Sequence, residues 1–542
     1  MKIWNLIKLA AACLAIASYT CSVYSAVSQQ TLNSLTTPSS TESKIGMLEF
    51  KDGYPTADTA SKLRDEIDYL HGVEAFMNSA RGVSAYAIYK GLQEAGVKDN
   101  EVIIFSKLMD SNSLFLTANA DTIYYMSFID LSNGPVVFES PPKALGIIDD
   151  MWFRWISDFG LPGGDRGKGG KYLIVPPYYK GELPEGGYYV RKSRTNKVMI
   201  LGRSFLTNND PAPTVSVIKN SLKIYPYTPG GVGTSIGNFL EGKSKILGKL
   251  ITPKAPRFVE GTGLSMNTIM PNNFSYFQML NELVQSEPAS ALEVETAGQF
   301  EAIGISKGKE FKPDSRLQNI LKNAVVIGNA SSRMLGMGAD PENKFRYYDN
   351  SSIWWIPLWV GGFEFINPPP MIENNQVKPF PNSQARKLGS RTSFFYAATG
   401  ITPAMCMRLT KIGSQYLLAN IDNTGAPFDG SKIYKVTLPK NIPAARFWSL
   451  TLYDNQTRSM LQTPQRYPRA GSQSYPSPSA EQNQDGSTTI YFSPQLPSGV
   501  SAGNWIQTDP KKGWFTVLRL YSPLQSFFDK SWRMGEIELV KS

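Results

Sequence analysis

The chain is short of histidine, cysteine and charge. One histidine in 542 residues, His71, excludes any metal site built on several imidazoles and any mechanism that needs two. A Ser-His-Asp triad would have to use His71, and no serine is marked out as its partner; Gly202-Arg203-Ser204 lacks the closing glycine of a nucleophile elbow. Cysteines number three, and Cys13 and Cys21 fall in the N-terminal leader, which leaves Cys406 alone in the apolar stretch PAMCMRL. A lone thiol makes no intrachain disulfide, and Cys406 reads as buried packing rather than as a nucleophile. Charged residues are 18% of the chain, below the roughly 25% of an ordinary globular protein. With 42% hydrophobic residues, neither disorder nor coiled coil describes the whole chain. Beyond the leader, no stretch approaches the roughly 18 uninterrupted apolar residues of a membrane-spanning helix.

What is plentiful is glycine (45), proline (37) and tyrosine (26), a turn-rich and β-leaning composition. Residues 1–28 read as a signal peptide. Lys2 and Lys8 precede an apolar stretch from Leu9 to Tyr19, and small residues offer cleavage after Ser25 or Ser28. The expected location is therefore the periplasm or the exterior. The leader carries two lysines and no acid, so its removal takes the formal charge from +10 to +8. Part of the excess is clustered: Asp165 to Arg203 holds nine Lys/Arg against three Asp/Glu, and Leu240 to Arg257 five against one. Such faces suit anionic glycans or lipid head groups; no nucleic-acid module is recognisable.

The texture divides the chain. Residues 29–57 open Ser/Thr-rich and read as a flexible leader. Residues 58–235 begin with helical spacing (Leu63, Ile67, Leu70, Phe76) and a second helical stretch near Gly82 to Ala95, then turn to short alternating strands. Within them, GIIDDMWFRWISDF reads as a helix with Ile148, Trp152 and Trp155 on one face. Residues 236–414 are helix-rich, in segments punctuated by Pro271, Pro288 and Pro313, with a last helix expected from Ser383 to Thr399. Residues 415–542 return to strands. The expected architecture is multidomain α+β: two β-sandwich, jelly-roll-like domains separated by a helix-rich region.

The candidate chemistry is that of carboxylate, Tyr, Arg and Lys groups. Asn119, Asp121 and Tyr124 crowd a strand entry, and Asp121 could be a general base, a calcium ligand or a turn-former. Asp149, Asp150 and Arg154 form either an ion pair or a site with Asp121, and Arg203 is a further cation in reach of such a cleft. The weak catalytic candidates are Asp121, Tyr124, Asp149, Arg154 and Arg203. A second set, Arg446, Trp448, Tyr453, Arg458, Asn504, Trp505 and Arg519, places aromatic faces beside cations and amides, as sugar rings require, and with Asn119 makes up the ligand-binding candidates. No metal ligand is assigned and no cofactor is expected; an oxygen-ligand calcium site stays open.

At these segments the chain resembles a known family. NADTIYYMSFIDLSNGPVVFESPP (119–142), GKGGKYLIVPPYYKGELPEG (167–186) and KVMILGR (197–203) resemble the bacterial domain of unknown function 1254. FDGSKIYKVTLP (428–439), FWSLTLYD (447–454) and NWIQTDPKKGWFTVLRLYSP (504–523) resemble its usual companion, the domain of unknown function 1214. The resemblance implies two β-sandwich domains around a helical region in an exported bacterial protein. It implies no reaction and carries over no catalytic residue. The expected function is binding of an envelope glycan or another anionic or polar ligand. The alternatives are a carbohydrate-active lyase or hydrolase using carboxylate, Tyr and Arg groups, or an oligomeric structural protein of the envelope. A lyase of this kind needs Asp121 or Tyr124 to meet Arg154 or Arg203 in one cleft.

Overall fold

The computed structural model describes residues 27–184, 186–229, 240–242, 253–338, 345–356, 358, 362–366, 371–373, 376–378 and 385–540. The chain divides into two compact units, residues 1–70 and 71–542. The expected signal peptide lies outside the described residues, apart from its last two positions. No described helix is long and apolar enough to cross a membrane.

In the first unit, residues 29–57 are not the structureless leader their composition suggests. They form a helix, Gln29–Leu35, capped by Ser28, and an antiparallel sheet of Ser40–Ser43, Gly46–Lys51 and Tyr54–Pro55. Tight turns account for the difference: Gly46 and Gly53 take φ of 95° and 78°, conformations open to glycine, and join strands too short to show alternation. The two helical stretches expected next form one helix, Ala57–Glu94.

The second unit is mixed α/β with a helix-rich middle. In its N-terminal half, a six-stranded sheet has the order Phe258–Glu260, Val102–Ile104, Thr122–Asp130, Lys197–Phe205, Ala144–Asp150, Trp155–Gly160. Side chains alternate along each strand. Ile123, Tyr125, Ile129, Val198, Ile200 and Ile148 point to one face and share a core with Phe138, Tyr172, Ile174 and Ile224 of a four-stranded sheet. Tyr124, Met126, Phe128, Met199 and Ile147 point the other way, into the large core that runs through the rest of the unit.

Residues 146–159 do not form the expected helix. They make a hairpin of Ala144–Asp150 and Trp155–Gly160. Asp150 Oδ1 accepts from the backbone N–H groups of Trp152 and Arg154 at 2.8 and 3.0 Å, and Phe153 takes a φ of 47°. An Asp that folds the chain back on itself in this way competes with helix, and periodicity does not register it.

The middle helices follow their pattern. Ser275–Ser286 buries Tyr276, Phe277, Leu280, Leu283 and Val284 along one stripe. Ser315–Gly336 starts at Asp314, whose carboxylate accepts from Leu317 N at 2.8 Å. Leu388–Ala397 lies inside the expected Ser383–Thr399 helix.

The C-terminal part holds two four-stranded sheets. One has the order Ser414–Ala419, Trp514–Pro523, Ala444–Asp454, Arg469–Gly471; the other is Trp505–Gln507, Thr488–Ser493, Tyr434–Leu438, Glu538–Leu539. In the first, Leu417, Leu518, Leu520, Leu450, Leu452 and Ala470 enter the large core together with Val436, Ile490 and Phe492 of the second. The opposite face carries Tyr416, Arg519, Ser449, Thr451 and Arg469, an unusually polar set for interior strands.

Candidate functional site

The polar face of the C-terminal sheet is turned toward the six-stranded sheet, and the two enclose a cavity of about 140 Å³. Register sets the groups around it. On the six-stranded sheet Arg203 stands opposite Tyr124 on one side and Leu145 on the other. On the C-terminal sheet Arg519 stands between Tyr416 and Ser449. Arg203, Tyr124, Arg519 and Tyr416 all line the cavity. Its remaining walls are mostly apolar: Phe115, Leu116, Ile147, Leu201, Trp355, Leu358, Phe394, Met405 and Val517 contribute. Ser414, Asp158, Thr402 and Ser393 add polar groups.

The Arg203 charge and the Tyr416 phenol act on each other, each favouring the other's charged form. Arg519 donates to Thr117 O at 2.5 Å and to Thr451 Oγ1 at 3.3 Å, and its guanidinium centre lies 5.5 Å from the Tyr453 ring centre and 5.9 Å from that of Tyr416. Neither arginine makes an ion pair with a carboxylate among the described residues. Arg519 is buried and Arg203 half-buried, and a buried cation without a counter-charge costs several kcal/mol in lost hydration. Thr117, which receives Arg519, has a φ of 42°, strained for a β-branched residue. Its hydroxyl bonded to Ala397 O at 2.8 Å and its N–H bonded to Arg458 O at 2.9 Å hold it there.

The phenols differ in character. Tyr124 accepts from Asn119 Nδ2 at 2.9 Å, so its own proton is free to be donated. Burial raises the Tyr453 and Tyr521 phenols. Burial would raise Tyr416 too, but the Arg203 charge, the Ser414 hydroxyl at 2.6 Å and the Arg519 charge outweigh it and hold the phenol below its usual range. Asp158, beneath the apolar wall, is pushed up to about 6 by burial, against the hydrogen bond from Thr402.

Of the sequence candidates, the structure brings Tyr124, Arg203 and Arg519 together at the cavity. Asp121 sits behind it. Its carboxylate pairs with Arg469 at 2.8 Å, both side chains fully buried, and accepts from Ser449 at 2.6 Å and Tyr521 at 3.3 Å. Asn119 closes a turn by accepting from Asp121 N, Thr122 N and Thr122 Oγ1. Asp149 is buried, takes one N–H from Ile401 at 2.9 Å, and is raised well above the carboxylate range by burial. Arg154 pairs with Asp150 at 2.5 Å and caps Ala291 O, away from the cavity lining.

The second set disperses. Arg446 lies over the Phe205 ring at 4.5 Å. Trp448 is buried, Tyr453 donates to Ala118 O, and Arg458 donates to Tyr396 O at 3.2 Å. Asn504 binds the backbone of Glu481 and Thr489, and Trp505 Nε1 donates to Ser493. These contacts are structural and do not gather on one sugar-binding face. Among the described residues, no group of three His, Cys, Asp or Glu side chains is placed to hold a metal ion. Tyr416, Asp158, Ser414 and Thr402 escape a sequence reading. Tyr416 reads there as one alternating residue of YLLANID, and nothing local marks its partner Arg203.

The cavity is walled by two sheets from different parts of the chain, and the comparisons match those two parts. Residues 100–226 match DUF1254 and residues 413–525 match DUF1214, each described as a protein of unknown function. The chain thus pairs a DUF1254 domain with a DUF1214 domain, in that order. Among solved structures, it is similar to the VPA0106 protein from Vibrio parahaemolyticus, with a TM-score of 0.49 and 17% identity over 88% of this chain and 100% of that one. It is also similar to an uncharacterized protein from Burkholderia cenocepacia, with a TM-score of 0.36 and 10% identity over 88% of this chain and 96% of the other. No curated protein matches.

Proposed function

We propose that this chain binds a small anion with an apolar body in the cavity between its DUF1254 and DUF1214 domains. The observation that carries the reading is the pair Arg203 and Arg519, one half-buried and one buried, which line the cavity and have no described carboxylate to balance them. A bound carboxylate or phosphate monoester would supply that balance, in a bidentate geometry suited to guanidinium. The aliphatic and aromatic walls would take the rest of the ligand. Of the envelope ligands expected from the sequence, an acid on a hydrocarbon or aromatic frame fits these walls better than a sugar, which needs many hydroxyl partners. Among the described lining residues only Asp158 carries a carboxyl group, so hydrolysis by two carboxylates is the weaker enzymatic reading. Export belongs to the same proposal, as does a sandwich for each pair of facing sheets.

Calorimetry at moderate salt tests it with octanoate, phenylpyruvate, glucuronate and uncharged 1-octanol. Octanoate and phenylpyruvate are expected to bind, and to lose at least tenfold in affinity, about 1.4 kcal/mol, in Arg203→Met. Equal affinity for octanol, or no binding of any anion, would remove the reading. Preference for glucuronate would return it to sugar acids.

A further inference from the structure

We propose that Tyr416 is a proton-transfer residue, and that the cavity enolises a 2-oxo acid, or a similar carbon acid, with an apolar tail. The proposal rests on the anion-binding reading and gives it a reaction. Four phenols surround the two arginines, and three have other employment. Tyr453 donates to Ala118 O, Tyr521 reaches Asp121 at 3.3 Å, and Tyr124 is oriented by Asn119 at 2.9 Å. Tyr416 instead shares a hydrogen bond with the Ser414 hydroxyl at 2.6 Å, lies cross-strand from Arg519, whose guanidinium centre is 5.9 Å from its ring centre, lines the same cavity as Arg203, and keeps accessible surface there. Two cations in the same cavity wall and a hydroxyl bonded to its oxygen favour the phenol's anion, and the lowered range of Tyr416 agrees. A base needs this geometry first and a matched pKa second.

The step balances without a co-reactant. With the substrate carboxylate on Arg519, the Tyr416 phenolate takes a proton from C3. The C3–H electron pair becomes the C2=C3 bond, and the carbonyl pair moves onto O2. The enolate oxygen is met by Arg203 and by the Tyr124 hydroxyl, whose proton is not used by Asn119. Return of the proton from Tyr416 to C3 regenerates the keto acid, and return to O2 gives the enol. The apolar walls limit water, which strengthens both charge interactions.

The probe is phenylpyruvate in D₂O, with loss of the C3 protons followed by NMR and binding followed by calorimetry. The wild type is expected to accelerate exchange at least ~100-fold over buffer, the low end for a positioned base. Tyr416→Phe should keep its affinity and lose the acceleration. Absorbance near the phenolate band, wild type minus Tyr416→Phe, should show one phenol titrating below the ordinary tyrosine value of about 10. Arg203→Met should move that titration upward, and this arm stands even if Tyr416→Phe does not fold. Binding without accelerated exchange, exchange retained in Tyr416→Phe, or a phenol unmoved by Arg203→Met would each overturn the proposal while leaving anion binding intact. Failure to bind phenylpyruvate, octanoate or glucuronate would remove both.

Discussion

Asp121 and Arg469 meet at 2.8 Å with neither side chain exposed, one from the DUF1254 domain and one from the DUF1214 domain. Ser449, 328 positions away in sequence, adds a hydrogen bond to the same carboxylate at 2.6 Å. This is the anchor that keeps two sheets facing each other across the cavity. A buried charge whose partner is removed costs far more than the pair is worth intact. Asp121→Asn is therefore expected to lose about 3–5 kcal/mol in urea unfolding, and Asp121→Asn with Arg469→Met to recover much of it. Additive losses in the double variant would mean that the two residues do not act as a pair.

Arg203 should behave in the opposite way. It has no carboxylate to leave stranded, so Arg203→Met removes an uncompensated charge. Without ligand its melting temperature should match or exceed the wild type. With saturating octanoate the wild type should rise above the variant, since a ligand that binds only the folded state stabilises by mass action. A ligand-free variant that melts well below the wild type would place Arg203 in the structural framework instead.

Two buried carboxyls set a pH dependence. Burial pushes Asp158 from 3.8 to about 6 and Glu287 from 4.5 to about 7. A folded pKa raised above the unfolded one means that the folded state holds the extra proton. Stability is then greatest below the unfolded values and falls as pH rises through about 4 to 7, by at most about 3 kcal/mol per group at 1.36 kcal/mol per unit. Asp158→Asn should remove part of that decline and be at least as stable as the wild type at pH 8. Glu287→Gln is less informative, because Glu287 accepts from both Asn196 N and Lys197 N and an amide would turn a donor toward one of them. Parallel stability curves for wild type and Asp158→Asn between pH 4 and 7 would contradict the assignment.

Gly202 and Gly146 are cross-strand partners whose missing side chains would point toward the Tyr125 and Phe159 rings, while the Gly146 backbone lines the cavity. A Cβ on Gly202 would enter the Tyr125 ring, and one on Gly146 the Phe159 ring. Gly202→Ala should therefore cost about 1–3 kcal/mol, as overpacking does. It should also weaken octanoate binding, because Arg203 is the next residue on the strand. Unchanged stability would show that the Tyr125 ring has room to move.

The pairing of the two domains, the helix-rich middle and the alternation of the strands were legible in the chain, because each is written in local texture. FWSLTLYD already placed Trp448, Leu450 and Leu452 on one face, and Leu450 and Leu452 do enter the core. Local texture misled where a side chain redirected the backbone, as Asp150 does in the hairpin read as a helix, and where short turns hid a small sheet in residues 29–57.

The candidate site was legible only in its residue types. Tyr124, Arg203 and Arg519 were visible as polar residues in apolar strands, and so were Asp121, Arg446 and Arg458. What separates these groups is which sheet face meets which, and no spacing records that. Composition narrowed the candidate groups to phenol, guanidinium, amine and carboxylate, because histidine and cysteine are nearly absent. Tertiary structure alone decided that Asp121 would be spent on Arg469 and that Arg203 and Tyr416 would line one cavity, because pairing between distant sheets depends on their register and packing in space.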